Sequence, residues 1–173
     1  MKTIDDYIRS IPDFPEEGNI FRDITTVISD KDGLQLAIDE MAALADVDFD
    51  HVVGLEARGF IFGMPLAYKL KKGFIPVRKK GKLPCETESQ EYDLEYGTAT
   101  IEIHKDALKP GDKVVIVDDL LATGGTIEAA IKLVEKLGAK VEKIVVLVEL
   151  KGLNGREKIG NYNIASVVAY DGK

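Results

Sequence analysis

The apolar positions of this chain alternate between two patterns. Short β-rich runs occur at His51–Leu55 (HVVGL), 74–77 (FIPV), 114–117 (VVIV), 141–150 and Ile164–Tyr170. They are separated by stretches with apolar residues every three or four positions. Leu34, Ile38, Met41, Ala42 and Ala45 form one such stripe, in a helix that Asp32 opens. Ile61, Met64, Leu66 and Leu70 belong to a second helix, and Ile127, Ile131, Val134 and Leu137 to a third that ends at Gly138. Unbroken β-branched runs such as 114–117 suit strands buried on both faces of a parallel sheet. Strands alternating with helices predict a single α/β domain over residues 1–173, with a mostly parallel central sheet flanked by helices.

Two segments break the alternation. Near the N-terminus, 3–10 predicts a short capped helix, after which Pro12, Pro15 and Gly18 interrupt the pattern until Ile20, Phe21 and Ile24. The aromatic–apolar pair beside Arg22 and Asp23 has two readings: a platform for a flat heterocycle, or a strap packed over the core. Residues 81–97 are polar and aperiodic, with Pro84, Cys85, Thr87, Ser89, Tyr92 and Tyr96. Loops of this length are lids or extensions, and the alternating TATIEI at 98–103 suits an antiparallel flap beside them.

The densest chemistry follows the run at 114–117. Asp118 and Asp119 come at once, then Ala122, Thr123, Gly124, Gly125 and Thr126, then a helix. The two glycines allow positive φ and close backbone approach, so that successive N–H groups can face one concavity. A helix start adds unpaired donors and a positive dipole end. Together these make a phosphate cup, with carboxylates on its rim that can accept sugar hydroxyls or hold a hydrated Mg²⁺. The plainer alternative is an ordinary βα turn with a threonine cap. No Gly-Lys-Ser/Thr follows the glycines, so this is not a Walker loop, and there is no GxGxxG. Arg58 ends a similar strand–turn–helix unit, where it either meets a ligand in the crevice or serves as an ion-pair partner.

Composition narrows the classes. The apolar fraction is 45%, enough for a packed core, while no apolar run approaches a bilayer span. A net charge of −7 argues against a nucleic-acid surface but leaves room for the local basic cluster Arg78-Lys79-Lys80-Gly81-Lys82. One cysteine excludes a disulfide framework, and two histidines exclude a multi-histidine metal site. With charged residues interrupting the N-terminus and no leader-like run, the expected compartment is the cytoplasm.

The segment VVIVDDLLATGGT resembles the phosphoribosyl-diphosphate (PRPP) motif of type I phosphoribosyltransferases. FPEEGNIFRDIT, GLEARGF, RKKGKLP, YDLEYGTATIEIHKDALKPGD and VELKGLNGREKIG together resemble, in order and spacing, the adenine branch of that family over nearly the whole chain. Glu17 and Asn19 depart from the usual pattern of proline and an apolar residue, which bears on the approach to the base.

The resemblance implies a type I phosphoribosyltransferase fold with an N-terminal base-binding strap (1–30) and a mobile loop and flap (78–103). It implies purine salvage: adenine plus PRPP giving AMP and pyrophosphate, with Mg²⁺ on the diphosphate and no direct protein ligand beyond water near Asp118 and Asp119. Ile20, Phe21 and Arg22 would meet adenine, and Arg58, Arg78, Lys79 and Lys82 the diphosphate. Asp118, Asp119, Ala122, Thr123, Gly124, Gly125 and Thr126 would hold ribose and its phosphate. Glu95, Tyr96 and Arg58 would be catalytic, with Glu95 managing the purine protons. A homodimer is implied, with neither nucleic acid nor membrane as partner. The alternatives are a transferase for xanthine or hypoxanthine/guanine, or a non-catalytic sensor; the acidic charge and missing helix-turn-helix disfavour the sensor.

Overall fold

A computed structural model describes residues 1–94 and 96–172. The chain begins with a single helical turn, α1 (Ile4–Tyr7), whose start is closed by a reciprocal Thr3–Asp6 capping box. A small antiparallel pair follows, β1 (Arg9–Pro12) with β2 (Ile20–Asp23), then α2 (Thr25–Ile28) and α3 (Lys31–Leu44). The rest is β3 (His51–Leu55), α4 (Arg58–Leu70), β4 (Gly73–Lys79), β5 (Thr87–Asp93), β6 (Thr98–His104), β7 (Lys113–Leu121), α5 (Gly125–Lys136), β8 (Lys140–Leu150), α6 (Gly155–Ile159) and β9 (Ile164–Tyr170).

Among the described residues, seven strands form one sheet in the order β5-β6-β4-β3-β7-β8-β9. The β4-β3-β7-β8-β9 portion is parallel, and the β5–β6 hairpin adds antiparallel to β4. The expected α/β architecture is therefore present. Side chains alternate across the sheet with the period of two that strands impose. Val115, Val117, Val145 and Leu147 pack toward Met41, Phe62 and Leu66 on one face. Val114, Ile116, Ile144 and Val146 pack toward Ile127, Ile131 and Leu133 on the other. From β3 the chain crosses to β4 on one side and later returns to β7 on the other. The C-terminal ends of β3 and β7 thus flank the reversal point where sheets of this class receive ligands.

Several boundaries differ from the sequence expectation. The cap of α3 is Asp30, whose side chain accepts from the amides of Asp32 and Gly33, so Asp32 lies inside the first turn. The helix expected over 3–10 stops at Tyr7, because Arg9–Pro12 pairs with β2. Strand β7 runs past 117 to Leu121, which puts Asp118 and Asp119 inside a strand rather than in a loop. Polar Thr87–Asp93, read as part of an aperiodic loop, is a strand: it is held by pairing to β6, and its half-buried positions alternate but carry Glu88 and Gln90 rather than apolar residues. Buried Glu102 ties this hairpin to the preceding turn by accepting from the Gly81 amide and the Thr87 hydroxyl. On α4 the buried side is Phe62, Leu66 and Ala67, while Ile61, Met64 and Tyr68 are exposed.

The N-terminal pair is fastened at both ends. The Arg22 guanidinium stacks on the Tyr170 ring of β9, 3.8 Å from its centroid, and donates to the Ser10 hydroxyl. The Tyr170 hydroxyl donates to Asp5, closing a link between the chain's two ends. Buried Asp23 accepts from the Thr25 hydroxyl (2.7 Å), the Thr25 amide (2.9 Å) and Arg9 (2.6 Å). These donors hold its carboxyl down at about 2, Thr25 contributing most and Arg9 less. Because the folded value is depressed, this stabilisation is complete above the unfolded carboxyl's range, near ~4, and is lost as pH falls through about 2. Asp23→Asn should therefore lower the urea midpoint near neutral pH, and its difference from the parent should shrink as the medium is acidified. A difference that stays constant with pH would count against the carboxylate as the anchor.

Candidate functional site

The C-terminal ends of β3 and β7 open into a cavity of about 420 Å³. Its lining comes from the turn after β3 (Glu56, Ala57, Arg58), the end of β7 (Asp118, Asp119, Leu120) and the turn into α5 (Ala122 to Thr126). Lys79 from β4, with Tyr92 and Ile101 from the hairpin, completes one wall. Three separate strand–turn units thus converge on one crevice.

The turn at 122–126 owes its shape to Gly124. This residue caps α5 with φ +89°, a left-handed conformation that costs other L-residues roughly 1–2 kcal/mol. A Cβ there would also lie 2.8 Å from the carbonyl oxygen of Gly155. Gly124 is buried while Thr123 is exposed, and both line the cavity. The opening amides of α5 and the dipole of its twelve residues put positive potential at the turn.

Opposite lies the acid pair. Asp119 is buried and its carboxylate meets the Arg58 Nε at 3.0 Å. Arg58 itself remains half exposed, so its guanidinium is shared between Asp119 and the open cavity. Asp118 is partly buried and its Oδ1 accepts from the Asp119 amide. Burial, followed by the neighbouring Asp119 charge, pushes Asp118 well above the usual carboxylate range, with Arg58 pulling weakly the other way. The site therefore holds one carboxylate ready to accept and one that gains from any donor or cation placed against it.

Glu56, not singled out from the sequence, organises the basic wall. It accepts from the Arg78 Nε and the Lys79 amide, each at 3.0 Å. Burial pushes Glu56 up, but these hydrogen bonds and the two positive charges outweigh it and hold it below its ordinary value. The Glu56–Ala57 peptide that carries it is cis. An acid just after a strand was a visible signal, hidden by its basic neighbours.

The structure thus brings together Arg58, Lys79, Asp118, Asp119, Ala122, Thr123, Gly124, Gly125 and Thr126. Arg78 is tied to Glu56 behind the lining. Lys82 is exposed on the turn after β4, its amide bonded to the Lys79 carbonyl. Tyr96 stands exposed at the hairpin tip, and Glu95 lies outside the described residues. Ile20, Phe21 and Arg22 stand on β2, outside the lining of this cavity: Phe21 packs edge-on to Phe14, and Ile20 is exposed. Leu120, Tyr92 and Glu56 are lining residues that sequence reasoning did not assign. Among the described residues no group of three or more acids, histidines or cysteines could cage a metal ion.

Comparison with known proteins gives a consistent picture. A model of the phosphoribosyl transferase domain matches residues 26–169. An adenine phosphoribosyltransferase of Lachnoclostridium phytofermentans is 67% identical over 174 residues, covering 100% of both chains. The crystal structure of an adenine phosphoribosyltransferase from Thermoanaerobacter pseudethanolicus superposes with a TM-score of 0.92 at 54% identity, over 96% of this chain and 98% of that one. The Saccharomyces cerevisiae adenine phosphoribosyltransferase, solved with an imino-altritol bisphosphate and adenine, gives 0.88 at 40% identity over 95% and 96%.

The geometry of the turn makes Gly124 its most sensitive position. Gly124→Ala should lower the affinity for ribose 5-phosphate about tenfold, the equivalent of ~1.4 kcal/mol, as measured by calorimetry. Undiminished binding would remove 122–126 as the phosphate cradle.

Proposed function

The chain belongs to the phosphoribosyltransferase family, in its adenine-specific branch, and from that premise we propose that it transfers the 5-phosphoribosyl group of PRPP to adenine, releasing pyrophosphate and AMP. The observation that carries the reading is the convergence of the acid pair, the Gly124 turn and the Arg58–Lys79 wall on one cavity.

In this reading the 5′-phosphate occupies the 122–126 turn at the start of α5, where the first helical amides have no intrahelical acceptor. Asp118 and Asp119 accept the ribose hydroxyls, and that contact stabilises the charged form of Asp118 that burial disfavours. The diphosphate leaves toward Arg58 and Lys79, with Lys82 brought in by movement of the 78–103 flap. Arg78 acts at one remove, through Glu56, by holding the Lys79 backbone in place. Mg²⁺ bound with the diphosphate would supply further charge neutralisation for the leaving group. As the C1–oxygen bond lengthens, positive charge grows on the sugar and negative charge on pyrophosphate. Fixed cations beside the latter lower the barrier without reorganising. Adenine is received from the Ile20–Arg22 strap, with Phe21 beside its ring. Glu95 handles the purine ring protons and Tyr96 closes the tip of the flap. The family resemblance supports these last roles. Exposed Leu94 and Tyr96, with the Leu94 amide bonded to the Gly97 carbonyl, form a hairpin tip suited to such a movement.

The chain acts as a homodimer in this reading. Ile61, Met64 and Tyr68 leave an apolar stripe on the outer side of α4, the helix that Arg58 begins. A second copy covering that stripe would also fix Arg58 from behind. Light scattering should give twice the chain mass, and Met64→Asp should halve it; a monomeric parent protein would refute the dimer. The reaction is placed in the cytoplasm, in keeping with a single free cysteine and no described helix long and apolar enough to cross a membrane. Cell fractionation checks that placement; activity confined to the membrane pellet would contradict it.

The deciding experiment offers PRPP and Mg²⁺ with adenine, hypoxanthine, guanine and xanthine separately, and measures pyrophosphate and nucleotide. Adenine alone should yield pyrophosphate, matched by AMP. Release with an oxopurine would transfer the site to another base, and no release with any base would overturn catalysis. In the same assay Glu95→Gln should lose ~10²–10⁴-fold in turnover with little change in substrate affinity; an unaltered rate would remove Glu95 from the chemistry.

A further inference from the structure

Outside the cavity, a buried and multiply bonded polar group lies near the C-terminal end of β8. The Glu149 carboxylate is only 5% exposed at the side chain, so it must be fully satisfied. It accepts from Arg156 in a two-pronged arrangement, Nε to Oε2 at 2.8 Å and Nη2 to Oε1 at 2.9 Å. The Ser166 hydroxyl of β9 donates to Oε1 at 3.0 Å, and the remaining Arg156 arm, Nη1, donates to the Ile164 carbonyl at 3.0 Å. Three segments, β8, α6 and β9, are joined through these two side chains. None of the four contacts touches the substrate cavity.

The residue before Arg156 explains why such a joint would matter. Gly155 opens α6 and is buried against the phosphate turn. A Cβ on Gly155 would stand 2.6 Å from the Ala122 carbonyl oxygen and 2.7 Å from a Leu121 methyl. A Cβ on Gly124 would meet the Gly155 carbonyl at 2.8 Å. The two backbones therefore lie against each other with no side chain between them, and the outer wall of the phosphate turn is Gly155 itself. Ile159, buried at the other end of α6, seats the helix on the core, Lys158 reaches Glu128 of α5 at 3.9 Å, and Arg156 ties the helix to β8 and β9.

We propose that Glu149, Arg156 and Ser166 form a clamp that positions the phosphate turn through Gly155, and so set the affinity for the phosphoribosyl substrate rather than for the base. The inference rests on the reading of 122–126 as the phosphate site. The clamp holds Gly155 at one distance and angle, and Gly155 holds Ala122 and Gly124, so the turn's amides converge before ligand arrives. When the clamp is released, the turn samples other arrangements and the ligand must order it on binding, which appears as lost affinity. Because ground state and transition state use the same phosphate contacts, the loss falls on KM for PRPP more than on kcat. The bidentate geometry requires the guanidinium; an ammonium can satisfy one oxygen but not fix the plane.

The test uses the full-length protein with three substitutions. Arg156→Met keeps the aliphatic stem and removes every donor. Arg156→Lys restores a charge, and Ser166→Ala removes one hydroxyl without unpairing Arg156. For Arg156→Met, KM for PRPP should rise about tenfold, the scale on which an outer-shell partner acts. The dissociation constant of ribose 5-phosphate should rise with it, while KM for adenine moves less than about twofold. Arg156→Lys should recover part of the loss, and Ser166→Ala should show a smaller rise in the same sense. Should Arg156→Met fail to fold, Ser166→Ala and Arg156→Lys carry the same comparison. A lowered melting temperature with PRPP and ribose 5-phosphate parameters unmoved would mean a purely structural joint and would overturn the clamp. So would equal increases in the two KM values. The clamp and the reaction fail separately. A parent protein that forms no AMP, with ribose 5-phosphate affinity still falling in Arg156→Met, refutes the transfer and keeps the clamp. A fully active parent with unmoved variants does the reverse.

Discussion

Two adjacent carboxylates at the end of a strand buried on both faces are the constraint around which this molecule is arranged. Asp119 is taken out of water and is paired with the Arg58 guanidinium, which reaches it at 3.0 Å. Arg58 can reach it because β3 and β7 are parallel neighbours with Gly54 opposite Val117, so that the turn after β3 lies beside the continuing β7. Asp118, beside it, meets burial and a like charge at once, so its proton is held more tightly than an ordinary carboxylic acid's. A purely structural protein gains nothing from such a pair: apolar residues at the same positions would extend the valine run of β7 without the desolvation cost. The arrangement makes sense where a ligand brings hydroxyl donors or a cation into the same crevice and relieves the strain of proximity.

Much of the fold could be read directly because its strands carry unbroken apolar runs and its helices carry stripes. Val114 and Ile116 of the 114–117 run face the Ile127–Ile131–Val134 stripe across one core, and Val115 and Val117 face the other, as their periods require. What escaped was held by pairing alone. Thr87–Asp93 has polar residues on both sides, and its strand character comes from the ladder to β6. The length of β7 escaped for a related reason: Asp118 and Asp119 look like the end of a strand by composition, while their backbone continues to bond β8 through Leu121. Capping was misplaced by two residues at α3 because Asp30 and Asp32 are both competent caps, and only the observed bonds to Asp32 and Gly33 select Asp30.

The candidate site was legible where its parts are contiguous. Asp118 to Thr126 is one stretch of chain, and nine consecutive residues carry the acids, the turn and the helix start. Residues recruited through tertiary contacts were harder to see. Glu56 looks like a solvated acid until β4 places Arg78 and the Lys79 amide against it. Arg22, carried into the base site by resemblance, has its guanidinium stacked on Tyr170, so any part it plays in meeting a base falls to its backbone.

The same reasoning explains why the Glu149–Arg156 joint belongs to the site's physics although it lies outside the cavity. A phosphate bound largely by backbone amides cannot be tuned by exchanging the groups that touch it, since every residue offers the same N–H. Its affinity must instead be set by how firmly the backbone is held. For the 122–126 turn that support comes from the next element packed behind it, and the contact is two glycines deep. Glycine makes the approach possible but adds no grip of its own. The grip has to be supplied by a neighbour in sequence with strong, directional bonds, and Arg156, adjacent to Gly155 and fixed on a buried carboxylate, has that geometry. In a cup built from backbone, specificity and strength are governed one layer out.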